Sequence, residues 1–160
     1  MLAPHPPIRF RADCSFRAAD PDLQGWRASA RPAFIEQLQC VNTQAQALLQ
    51  KIAQLDAGAL IIPQSDHGTA FRGQFEKRPT DWSEADLHER FGALNALRLP
   101  APCRTLAAPD LTLVDTFPLV FACLTGSHFT WHSPPRFFVR PWDDSQEFTD
   151  LVEYKAELFR

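Results

Sequence analysis

The chain has 160 residues, 45% of them hydrophobic, which is enough for one cooperative domain burying roughly 70% of its unfolded surface. Sixteen Lys and Arg face 19 Asp and Glu for a formal charge of −3, and no run of like charge could grip a phosphate backbone, which argues against a nucleic-acid partner. No apolar run approaches the roughly 20 residues that cross a bilayer, and Pro4, Pro6 and Pro7 stand where a signal peptide would carry its apolar core, so no membrane segment is expected in this chain.

Residues 1 to 30 are punctuated by Pro and Asp and read as irregular, with a short extended piece at Ile8 to Phe10. From Pro32, the spacing of Phe34, Ile35, Leu38, Val41, Leu48, Ile52 and Leu55 keeps one apolar face at helical period, and Gly58 follows. A helix from 32 to 55 is predicted. Ala59-Leu60-Ile61-Ile62 is a continuous apolar run after a helix and a glycine, the pattern of a strand buried on both faces in a parallel sheet. Residues 69 to 82 read as an exposed loop. A short helix is expected near Ser83, with Asp86 completing a weak capping box. Leu94 to Leu99 reads as a strand ended by Pro100, and Phe117, Val120, Phe121 and Leu124 as a helix closed by Gly126. Phe137 to Val139 suggests a strand, and Phe148, Leu151, Val152 and Tyr154 a last strand or a frayed helix.

Cys14, Cys40, Cys103 and Cys123 lie 26, 63 and 20 residues apart, with no C-x-x-C pair, and on composition alone they read as buried free thiols. The chemistry-bearing stretch is Ser65-Asp66-His67-Gly68, directly after the apolar run. Ligands of open α/β sheets sit beyond the carboxyl ends of strands, and Asp and His side by side can reach one ion if the backbone turns sharply, a turn that the neighbouring glycine permits. Carboxylate plus imidazole suits Zn²⁺ or Mn²⁺ better than Ca²⁺. The same tetrapeptide is also a common structural turn. His88, His128 and His132 lack ligand spacing and read as surface or loop histidines.

Ile61-Ile62-Pro63-Gln64-Ser65-Asp66-His67-Gly68 resembles the late metal-binding segment of the sulfatase and alkaline-phosphatase superfamily, and Pro4-His5-Pro6-Pro7-Ile8-Arg9-Phe10 resembles a segment that precedes it there. Gln37 to Asn42, Glu89 to Ala96 and Val114 to Phe117 resemble further segments in the same order, most closely in membrane-anchored bacterial sulfatase-like proteins. The resemblance implies an α/β fold, here a partial, mostly parallel sheet flanked by helices, and a divalent metal ion held in part by Asp66 and His67. It also implies a phosphate-, phosphodiester- or sulfate-ester substrate and places His5 where relatives hold the substrate anion or protonate the leaving group. A periplasmic or extracellular setting and a Cys14–Cys40 disulfide are further implications. The family's first acidic ligand and nucleophile have no counterpart here, so the expectation is the C-terminal part of a larger domain, partnered by its missing N-terminal half, and inactive alone. Pro118 also stands where the family suggests a basic residue. The competing expectation is a truncated, non-catalytic protein that binds a metal or a partner.

Overall fold

The structure, a computed structural model, describes residues 4–108, 111–130, 136–139 and 151–154, the last two stretches as backbone. The chain divides into two compact units, residues 1–59 with 69–76, and residues 60–68 with 77–160.

The first unit is built on helix α1, Arg31–Leu55, with Pro32 in its first turn where a missing N–H costs nothing. Phe34 anchors a core with Ile8, Leu23, Ala30 and Phe71. Trp26, Phe34 and Phe71 pack ring against ring at centroid distances of 5.0 to 5.6 Å. The single buried face expected along the whole helix holds only for its first half, since Leu48 and Leu55 are exposed. The irregular N-terminal segment is held by one side chain. The Gln37 carbonyl accepts from the backbone N–H of Arg9 (2.6 Å) and Phe10 (3.1 Å), and its amide donates to the Pro4 carbonyl (2.9 Å). Cys14 and Cys40 are disulfide-bonded, Cα atoms 5.0 Å apart, and Cys103 and Cys123 form a second bridge at 5.3 Å. The resemblance pointed to the first pair. The reading of four free thiols is corrected for all of them. Residues 69 to 76, expected to be exposed loop, contribute the buried Ala70, Phe71 and Gln74, because Phe71 completes the aromatic cluster.

In the second unit, helix α2 spans Glu84–Phe91 and helix α3 Leu113–Thr125. Ser83 and Asp86 form the full reciprocal capping box at the start of α2, and Gly126, at φ 67°, closes α3 in the left-handed region. A core of Leu99, Cys103 and Leu119 lies beneath α3, flanked by Leu60, Leu97 and Leu106.

Among the described residues the mostly parallel sheet flanked by helices is not present. Among the described residues, strand pairing consists of β1 (Arg136–Val139) antiparallel to β2 (Leu151–Tyr154) and three isolated antiparallel bridges; Phe148 lies outside the described residues. The run Leu60 to Ile62 is half-buried, not sandwiched; Ile61 pairs antiparallel with Arg98 and, beyond the run, Gln64 with Asn95. Ile61 and Arg98 exchange both backbone bonds, at 3.1 and 2.9 Å. At the next hydrogen-bonded position Ala96 N–H reaches the Pro63 carbonyl (3.0 Å), but Pro63 has no N–H to return, so the ladder is interrupted there before it resumes at Gln64–Asn95 and with Ser65 N–H donating to the Leu94 carbonyl (3.0 Å). None of the described helices is long and apolar enough to cross a membrane.

Candidate functional site

Asp66 and His67 follow this interrupted ladder, and the chain after them is fixed by α2. Gly68 N–H donates to the Arg90 carbonyl at 2.9 Å, and a Cβ on Gly68 would lie 2.0 Å from the Glu89 carbonyl oxygen. Gly68 is therefore required by close approach to the last turn of α2. Its φ is not positive, so the sharp-turn role predicted for it is replaced by a packing role.

That docking brings Arg90 to His67. Nδ1 of His67 lies 2.7 Å from the Gly68 carbonyl oxygen, and Nη1 of Arg90 lies 3.0 Å from the same nitrogen and 3.3 Å from the same carbonyl. A carbonyl only accepts and a guanidinium only donates, so Nδ1 donates to the Gly68 carbonyl in one tautomer of His67 and accepts from Arg90 in the other. Nε2 faces the Asp66 carboxylate, with Oδ2 at 3.6 Å. Burial pushes the Arg90 guanidinium below its ordinary value, and the Asp66 carboxylate pulls it back up.

Asp66, His67 and Arg90 line one cavity of about 470 Å³, together with Phe91, Ala93, Asn95 and Leu111 to Leu113. Asn95 is held in place by Thr116 and Gln64, whose hydroxyl and amide donate to its carbonyl at 3.2 and 3.3 Å. The wall thus offers a carboxylate, an imidazole nitrogen and a guanidinium beside apolar surface, a combination suited to a cation and an anionic group together.

The donor chemistry fits a divalent ion in part. Metal-bound histidines usually donate their second ring N–H to a backbone carbonyl, a bond that the Nδ1–H tautomer of His67 makes to Gly68, and donors 3.6 Å apart can share an ion whose bonds are about 2.1 Å. Two donors are half of a four-ligand shell, and no group of three or more His, Cys, Asp or Glu able to hold a metal occurs among the described residues.

His5 belongs to the first unit, where its ring packs edge-on against Trp26 at 5.1 Å and Nδ1 lies 2.6 Å from the Pro6 carbonyl. His88 pairs with Glu84 on α2 and His128 meets Thr130, both surface roles, while His132 lies outside the described residues. Arg90 enters the sequence reading only within the Glu89 to Ala96 segment, and its contact with His67 depends on Gly68 docking at the last turn of α2. Comparison of the chain with protein-family models, with curated proteins and with solved structures finds no match.

Proposed function

We propose that this chain supplies the Asp66–His67 part of a divalent-metal centre in a hydrolase or transferase of phosphate, phosphodiester or sulfate esters. The observation that carries the reading is the His67 geometry: Nδ1 beside the Gly68 carbonyl, and Nε2 aimed at the Asp66 carboxylate on a cavity wall that also holds Arg90. Zn²⁺ or Mn²⁺ suits this mixed oxygen and nitrogen pair better than Ca²⁺. Such an ion, when bound, neutralises charge on a transferred group and lowers the pKa of a nucleophile. Asp66 and His67 would hold it, and Arg90 would add a positive charge for an ester oxygen. Phe91, Leu111 and Leu113 form the apolar part of the wall. The nucleophile and the remaining ligands are assigned to a preceding part of the same domain, as the family resemblance implies. Two disulfides support an oxidising compartment such as the periplasm.

Calorimetric titration of the 160-residue chain with Zn²⁺, Mn²⁺ and Ca²⁺ tests the reading. Zn²⁺ and Mn²⁺ should bind weakly, Ca²⁺ more weakly still, and Asp66→Asn or His67→Gln should weaken Zn²⁺ binding by about tenfold or more. Zn²⁺ affinity unchanged in both variants overturns it.

A further inference from the structure

Helix α3 carries a second feature, independent of the cavity. Val114, Phe117, Phe121 and Leu124 follow one another at spacings of three, four and three, which puts them on one face, and they are 67, 55, 62 and 67% exposed. The helix cannot rotate to hide them. Its other face is fixed by buried Asp115, Thr116, Leu119, Val120 and Ala122, by the Thr116–Asn95 hydrogen bond, and by the Cys103–Cys123 bridge. The only charged residue of α3 is Asp115, which is buried. A solvated helix face would carry charge, and a face that lies on lipid would carry a basic rim; this one has neither.

We propose that this face binds a second copy of the chain in an antiparallel, two-fold arrangement. The spacing is self-complementary: with the axis beside residue 119, Phe117 meets Phe121 of the other copy, Val114 meets Leu124, and each contact occurs twice. The two aromatic pairs lie at the centre, where interface energy concentrates. Because the exposed face is uncharged, two copies oppose no like charges. The four side chains present on the order of 450 Å² of apolar surface, so pairing buries at most roughly 900 Å² from them, and the exposed Pro118 and Thr125 at the margin bring that upper limit near the ~1,000 Å² that a specific interface needs.

Sedimentation equilibrium on the oxidised chain reads the outcome directly. The wild type should show a concentration-dependent dimer, and Phe117→Lys and Phe121→Glu should each be monomeric with unchanged circular dichroism. Mixing the two variants should restore a dimer. At one of the two central contacts the introduced ammonium of one copy then meets the introduced carboxylate of the other, and at the second contact the original pair of phenylalanine rings is kept. A wild-type monomer at about 100 μM, a dimer indifferent to both substitutions, or binding to lipid vesicles in place of dimerisation overturns the proposal.

Discussion

Burial alone would raise the Asp86 carboxyl, but the Ser83 hydroxyl (2.7 Å), the Ser83 backbone N–H (2.9 Å) and the Lys77 ammonium (3.0 Å) outweigh it and hold the group at about 2, against an ordinary 3.8. Since the folded state has the depressed value, the stabilisation is fully present above pH 3.8, shrinks as pH falls and is gone once pH passes below about 2. It amounts to on the order of 2 kcal/mol. Asp86→Asn should therefore lower stability at neutral pH by about that much and flatten the acid limb between pH 4 and pH 2 in denaturant titrations, ranges set by the same two values. Gln37 poses a similar residue-scale test without charge. Its amide is 1% exposed and serves two backbone donors and one acceptor of the N-terminal segment, so Gln37→Ala should cost roughly 2–4 kcal/mol and free the segment around Ile8 to exchange its amides. The sequence made Asp66 and His67 visible because residue type and position after an apolar run carry chemical meaning. It could not make Arg90 or Gln37 visible, because both act through partners 22 or more residues away.

At the scale of elements, the parts legible in advance were those coded locally. The apolar period and Pro32 of α1, the Ser83–Asp86 box of α2 and the closing Gly126 of α3 each lie within a few residues of what they control. The run Ala59 to Ile62 misled because a short apolar stretch does not say which way its partner runs, and Pro63, two positions after the paired Ile61, interrupts the ladder with 94 to 98. Residues 69 to 76 depart from the exposed-loop expectation because Phe71 joins an aromatic cluster whose other members lie far away in the chain. Two glycines separate local from tertiary demand. Gly126 has open space around an added Cβ, so Gly126→Ala should cost only the left-handed strain, about 1 kcal/mol. At Gly68 the added carbon meets the Glu89 carbonyl, so Gly68→Ala should cost about 1–3 kcal/mol and also displace the 66–68 turn from α2. Thermal melts give the two costs, and the His67 ring resonances should shift in the second variant and not in the first.

For the whole molecule, each compact unit has its own apolar core and its own cross-link. Ile8, Leu23, Phe34 and Phe71 with Cys14–Cys40 form one set, and Leu99, Leu119 and Cys103–Cys123 the other. The bridges close loops of 26 and 20 residues, and the chain-entropy relation gives about 3 kcal/mol for each, because the cost of closing a loop grows only logarithmically with its length. Neither bridge spans the two units, so each should act where it lies. Replacing Cys14 and Cys40 together by Ser should raise amide exchange across the first half of α1 while leaving α3 protected, and replacing Cys103 and Cys123 should do the reverse. The second replacement also removes one restraint on the rotation of α3, so its exposed Phe117 and Phe121 should become less ordered even under conditions where the fold persists. Hydrogen exchange read residue by residue decides the matter: loss of protection in both units from either pair of substitutions would mean that the chain unfolds as one cooperative body, and the assignment of one stabilising bridge to each core would fail.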